Sequence, residues 1–220
     1  MALNVVMLGP PASGKGTQAV RLAQARGIPK ISTGDMLREA AQRGTEVGLR
    51  AKALMDRGEL LGDVEMIAIV KERLARADAA QGYILDGFPR TVRQAEELDR
   101  MVQRNPLVVI DLAVPDVELL KRMQTRRVCG TCAAIAEPGS ATAVCERCGG
   151  ELMTRADDSD EHVRQHRLEV YGRESKPLLD YYRGRPTFQS INGAQAPDMV
   201  AKELATKIDQ MVGVASGKRA

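Results

Sequence analysis

With 220 residues and 32 basic against 29 acidic side chains, the chain is long enough for one α/β core with a small inserted module, and too evenly charged for a polybasic arm or an acidic tail. Aromatic residues make up 3% and Trp is absent, so a base-stacking nucleic-acid surface is poorly supplied. No apolar stretch approaches the ~20 residues of a membrane helix, and the apolar run at the N-terminus is too short for a signal-peptide core.

A cytoplasmic protein without a membrane partner is therefore expected, and four Cys in that reducing setting point to metal rather than disulfides. In chain order, Leu3 to Leu8 is a continuous apolar run, as in a strand buried on both faces. After Gly9-Pro10-Pro11-Ala12-Ser13-Gly14-Lys15-Gly16-Thr17, residues Ala19, Leu22 and Ala23 fall at helical spacing and Gly27 stops the helix. Ile28 to Ile31 is a second short strand, and Ser32 to Asp78 is helical text broken at Gly44, Gly58 and Gly62. Tyr83 to Leu85, Leu107 to Val114 and Thr187 to Ile191 supply further strands, with helices over Glu118 to Thr125 and Met199 to Val212. Strands alternating with helices predict a parallel sheet. The small, polar tail from Gly213 to Ala220 is expected to fray.

The segment from Gly9 to Thr17 lies between a buried strand and a helix, the context that gives a glycine-rich phosphate loop its meaning. Its glycines let successive N–H groups face one anion, the helix N-terminus adds positive potential, and Lys15 reaches the outer phosphates. Gly16 follows Lys15 where Ser or Thr is usual, and Thr17 comes one position later. Asp86-Gly87-Phe88-Pro89-Arg90 leaves the carboxyl end of a strand, the edge where open α/β sheets collect ligands. Asp86 is a candidate for holding Mg²⁺ through its waters.

Together, GPPASGKGT (Gly9 to Thr17), ISTGDMLR (Ile31 to Arg38), LDGFPR (Leu85 to Arg90) with Thr91 and Gln94, and Thr154-Arg155-Ala156-Asp157-Asp158 resemble adenylate kinase over nearly the whole chain. Gly16-Thr17 after Lys15 is the form this family uses. The resemblance implies a P-loop α/β core with a five-stranded parallel sheet (1–31, 62–124 and 162–220), a helical monophosphate-binding insert (32–61) and a lid over ATP (125–161). It further implies that Thr33, Arg38, Glu59, Leu61 and Gly87 contact AMP, with Arg90 on its phosphate and Gln94 at its base. Lys15, Arg122, Arg126, Arg155 and Arg167 would surround the transferring phosphates, Arg155 and Arg167 touching AMP as well. Gly9, Ala12, Ser13 and the backbone of Gly14, Lys15, Gly16 and Thr17 would hold ATP, with Arg122 against its adenine and Gln195 as a further contact. Arg122 and Arg126 are four residues apart in a helical stretch, which puts two guanidinium forks on one face. Beyond Val163 the chain runs one residue longer than the family pattern. Arg167 fits Arg-Leu-x-x-Tyr171, a count from Val163 lands on His166, and Arg164 is the third candidate.

Cys129-x-x-Cys132 and Cys145-x-x-Cys148 lie twelve residues apart. Paired knuckles of this spacing set four thiolates tetrahedrally and point to structural Zn²⁺ rather than two disulfides or four unrelated thiols; redox chemistry is the minor alternative. Gly130, Gly149 and Gly150 supply turns around the knuckles. Some adenylate kinases carry such a metal in the lid. The lid has few large hydrophobes beyond Ile135, Leu152 and Met153, so metal binding at about 10–16 kcal/mol substitutes for a core. Four thiolates and one dication carry −2, which takes the formal charge from +3 to +1.

The expected reaction is reversible transfer of the terminal phosphate of ATP to AMP, by a monomer. The attacking phosphate oxygen has a second pKa near ~6 and is already ionised at neutral pH, so no general base is required, and His162 and His166, the only histidines, belong to no phosphate motif. Three rivals stand behind this reading. They are a kinase for GMP, UMP or CMP, a P-loop switch that hydrolyses nucleotide without an acceptor, and a zinc-ribbon nucleic-acid binder. The last wants basic and aromatic residues on the ribbon, where 129–150 contain Arg147 alone and no aromatic.

Overall fold

Apolar runs whose alternate side chains serve two different cores build the centre of the molecule. The computed structural model describes residues 2–102, 106–137, 139–140, 142–158 and 160–215. In chain order the elements are β1 (Leu3–Leu8), α1 (Lys15–Arg26), β2 (Lys30–Ser32), α2 (Thr33–Gln42), α3 (Glu46–Asp56), α4 (Asp63–Leu74), β3 (Gly82–Asp86), α5 (Val92–Met101), β4 (Leu107–Ala113), α6 (Asp116–Thr125), β5 (Arg127–Cys129), β6 (Leu152–Thr154), α7 (Glu161–Val170), α8 (Pro177–Arg183), β7 (Phe188–Asn192) and α9 (Pro197–Ala215). A π-helical turn, Tyr171–Ser175, joins α7 to α8.

Five strands form one parallel sheet in the order β2-β3-β1-β4-β7. Val6, Leu85 and Val109 point to one face, where Phe88, Leu98, Leu178 and Tyr182 complete the core. Val5, Ile84, Val108 and Ile110 point to the other, against Ala19 and Leu22 of α1 and Leu204 and Ile208 of α9. Continuous apolar strands are the consequence of helices on both faces. All five strands end at the same edge, which presents the phosphate loop after β1 and the Asp86–Arg90 turn after β3.

The helices α2 and α3 pack tightly because Gly48 has no side chain. A Cβ there would stand 2.2 Å from the Ala40 carbonyl carbon. Farther along, β5 and β6 pair antiparallel as a separate two-stranded sheet absent from the sequence reading. Its small core is Cys129, Cys145 and Leu152, while Ile135 and Met153 are exposed.

Two expectations are corrected. The helix carrying Arg122 ends at Thr125, and Arg126 takes ψ 125°. The two arginines therefore do not share a helix face. The chain turns extended to enter β5, where Arg127 pairs with Thr154, and Arg126 Nε donates to the carboxylate of Asp158 at 2.7 Å. The C-terminal helix starts at Pro197 and continues through Gly213 to Ala215, held by Val200, Leu204, Ile208 and Met211 on its buried stripe. The rest of the tail expected to fray, 216–220, lies outside the described residues. Among those described, no helix is long and apolar enough to cross a membrane.

Candidate active site

The chain leaves β1 into a loop whose shape needs positive φ at several points. Gly9 has φ 135°, and a Cβ on it would lie 2.8 Å from Ser13 Oγ and 2.9 Å from the Leu112 carbonyl oxygen. Gly14 caps α1 with φ 94°. Ala12 holds φ 62° despite its side chain, strain of the kind that gathers at functional sites. The first-turn N–H groups of α1 lack intrahelical acceptors and face outward, where an anion is favoured. Lys15 begins α1, and its Nζ donates to the Pro10 carbonyl at 2.9 Å. Burial draws its ammonium down to about 7, against the pull of Asp86 and helped by Arg90, Arg126 and Arg167.

At the end of β3, Gly87 turns with φ 84°. Its carbonyl accepts from Thr33 Oγ1 and from Arg90 Nε, both at 2.9 Å. A Cβ on Gly87 would meet Thr33 Oγ1 at 2.8 Å, so close approach as well as φ demands glycine. This carbonyl joins α2 to the turn that carries Arg90, whose guanidinium is held below its ordinary pKa chiefly by burial. Arg38 donates to Asp35 and keeps Nη1 buried without a partner among the described residues. Burial alone would raise the Asp35 carboxyl, but Lys30 and Arg38 outweigh it and hold it at about 2. Asp86 is 9% exposed, and its Oδ2 lies 3.2 Å from the point a Cβ on Gly16 would occupy.

A third group gathers where the segment after β6 meets α7. Asp158 is 0% exposed and accepts from Arg126 and Arg167, while Arg164 Nη1 donates to its backbone carbonyl at 2.7 Å. Asp157 pairs with Arg155 at 2.6 Å and with Arg167 at 3.4 Å. Burial would raise the Asp157 carboxyl, but those cations keep it below the usual range.

One cavity is lined by every residue expected around the monophosphate: Thr33, Arg38, Glu59, Leu61, Gly87, Arg90, Gln94, Arg155 and Arg167. A second is lined by Gly9 and Lys15, and both cavities touch Gly87, Arg90 and Arg167. Lys15 and Arg90 thus face one continuous space. Of the three candidates on α7, Arg167 alone lines these cavities; Arg164 is spent on the Asp158 carbonyl, and His166 Nδ1 lies 3.4 Å from Glu169. Ala12, Ser13, Gly14, Gly16, Thr17, Asp86, Arg122, Arg126 and Gln195 line neither. Arg122 donates to Glu118 at 2.8 Å and to the Gly193 carbonyl at 3.0 Å, beside the phosphate loop, since a Cβ on Gly193 would lie 3.1 Å from the Ser13 carbonyl oxygen. Gln195 donates to Glu203 at 2.9 Å and to the Asn192 carbonyl at 3.2 Å.

Four carboxylates that organise this site, Asp35, Asp63, Asp157 and Asp158, carry no role in the sequence reading. The Asp157-Asp158 pair signals itself by following Arg155. Asp63 gives no local sign, because its partners are Thr91 and Gln94, at 3.0 and 2.7 Å but about thirty positions downstream.

The four Cys are free thiols whose sulfurs all lie within 4.8 Å of one another. Cys129 and Cys148 are 3.4 Å apart, and Cys132 and Cys145 are 3.7 Å apart. Those spacings exceed the ~2.05 Å of a disulfide and suit four sulfurs each ~2.3 Å from one central Zn²⁺. Backbone N–H groups of Cys132 and Thr131 reach Cys129 Sγ at 3.4 Å and pull its thiol toward thiolate. Gly130 leaves room for Met153 Cε, and Gly150 for Cys129 Sγ, at 2.7 and 2.9 Å from the Cβ positions they lack. The donor set fits the metal.

Residues 7–187 match the family model described as adenylate kinase. The chain is 46% identical over 216 residues to the adenylate kinase of Archaeoglobus fulgidus, covering 95% of this chain and 99% of that one. It is 44% identical to that of Thermodesulfovibrio yellowstonii, over 94% of this chain and 100% of the relative. The Methanosarcina acetivorans adenylate kinase is 45% identical over 92% of this chain and 96% of its own.

Proposed function

The chain belongs to the adenylate kinase family and transfers the terminal phosphate of ATP to AMP, and from that premise we propose how its own residues divide the work. The observation that supports the assignment is the shared space, with Lys15 on one side and Arg90 and Arg167 on the other. ATP phosphates lie on the α1 N-terminus and Lys15. The AMP phosphate lies on Arg90, Arg38 and Arg155, with Arg167 between the two. An ionised oxygen of AMP forms the new P–O bond in line with the bond that breaks to ADP. Since that oxygen carries no proton near neutral pH, catalysis comes from alignment and charge neutralisation.

Asp86, beside the phosphate loop, would hold Mg²⁺, and the dication would supply charge neutralisation on the ATP phosphates. Cys129, Cys132, Cys145 and Cys148 hold Zn²⁺, which stands in for the core the lid lacks. Residues 32–61 and 125–161 close as two inserts over the core and exclude water, the competing acceptor. Arg122 and Gln195 border the ATP adenine. The protein works as a cytoplasmic monomer.

The deciding experiment mixes purified protein and Mg-ATP with AMP, GMP, UMP or CMP in turn and follows ADP. AMP should exceed each other acceptor by at least about 100-fold in kcat/KM. Equal use of another monophosphate, or ATP hydrolysis at the same rate without acceptor, would overturn the reading.

A further inference from the structure

We propose that Asp63 is a specificity-determining positioning residue, which fixes the side-chain amide of Gln94 in one of its two orientations and so rejects 6-oxopurine monophosphates. The inference rests on the reading above that Gln94 faces the acceptor base.

Gln94 stands in the first turn of α5, is 2% exposed and lines the monophosphate cavity. A glutamine amide can rotate about its last bond, exchanging donor and acceptor with almost no change of shape. A freely rotating amide would therefore accept either an amino or an oxo group at the purine 6-position. Here two neighbours choose one state. The Arg90 backbone N–H, which can only donate, reaches Gln94 Oε1 at 2.8 Å. The Asp63 carboxylate, which when ionised can only accept, receives Gln94 Nε2 at 2.7 Å. Rotation would set N–H against N–H and oxygen against carboxylate, replacing two bonds by two repulsions.

Asp63 is itself held. The Thr91 hydroxyl lies 3.0 Å from each of its carboxylate oxygens, and Asp63 is the first residue of α4, where the helix end favours a negative charge. Thr91 also caps α5 by accepting from the Gln94 N–H at 3.2 Å. The starts of two helices thus meet around one amide. What Gln94 has left for a ligand is one N–H and one lone pair of Oε1, on fixed sides. Adenine offers a donor, its 6-amino group, beside an acceptor ring nitrogen, the complement of that pair. A 6-oxopurine turns an acceptor toward Oε1 and, at N1, a donor toward Nε2. It can pair only after the rotation that Asp63 and Arg90 oppose.

The test compares AMP with inosine monophosphate, which differs from it only at C6 and N1. In Asp63→Asn the new side chain can serve either orientation of Gln94, and the ratio of kcat/KM for inosine monophosphate to that for AMP should rise about tenfold, mainly through KM. Asp63→Ser, too short to reach the amide, should move the ratio the same way and serves if the first variant fails to fold. In the wild type the Gln94 Nε2 protons should exchange slowly by NMR, and in either variant they should lose that protection. A merely structural Asp63 would lower both kcat/KM values together and leave the ratio where it was, which would overturn the inference. Gln94→Ala separates the premise. It should raise the KM for AMP and flatten the ratio; if it does neither, Gln94 does not face the base and the inference falls with that reading.

Discussion

Lys15 gives a prediction with a sign and a size. With its ammonium drawn down to about 7, the free protein at pH 8 carries this proton in about one-tenth of molecules. ATP brings a cluster of negative charge to Nζ, which restores the ordinary lysine value of ~10.4. Binding should therefore take up about 0.9 proton at pH 8 and only about 0.1 at pH 6. The complex holds more protons than the free protein above pH 7, so affinity falls as pH rises, by about ninefold from pH 8 to pH 9. At pH 8 the phosphates are already fully ionised and contribute nothing to the uptake. Titration calorimetry at pH 8, in two buffers of contrasting ionisation enthalpy, reads the proton count directly. Lys15→Met should bind more weakly and abolish the uptake. Uptake near zero in the wild type, or equal uptake in Lys15→Met, would refute the placement of Lys15 as an amine largely neutral at pH 8 that phosphate recharges.

Arg90→Ala should cut kcat by about 10³-fold or more, since it removes a fixed cation from the transferring group, while the melting curve stays cooperative; wild-type turnover would undo its assignment. Asp158→Ala should destabilise the fold by about 3 kcal/mol, because Arg126 and Arg167, only 11% and 14% exposed, lose a shared carboxylate; an unchanged urea midpoint would contradict this. Native mass should show one zinc per chain, lost with a strong chelator or in Cys145→Ser, with a lower melting temperature and weaker ATP binding; a metal-free native mass would remove the assignment. His162→Ala should leave turnover within about threefold, as no general base is required, and a loss of two orders of magnitude would show that proton transfer matters after all.

The sheet was legible because β1, β3 and β4 are apolar on both faces, and burial between two helical layers leaves that mark in any reading of the chain. The phosphate loop and the Asp86–Arg90 turn were legible because their chemistry is local, a few residues between one strand and one helix. The end of α6 was not, since Leu119, Arg122, Met123 and Arg126 keep helical spacing and neither Gly nor Pro marks a stop. What meets the chain past the helix end is remote in sequence, Thr154 pairing with Arg127 and the Asp158 carboxylate on Arg126, thirty-two positions away. The strands β5 and β6 are three residues each, too short to show a period, and their register follows from where the cysteine knuckles bring the chain. The Asp63–Gln94 contact is invisible for the same reason, as it exists only where two helix starts converge.

The carboxylate of Asp158, shared by Arg126 and Arg167, ties the chain after α6 to α7 at one buried point. Of the two guanidinium groups, that of Arg167 also lines the cavities at the sheet edge, so an anion drawn there meets a cation that already has a carboxylate partner. Its pull on that anion is a difference between two strong interactions rather than the whole of one.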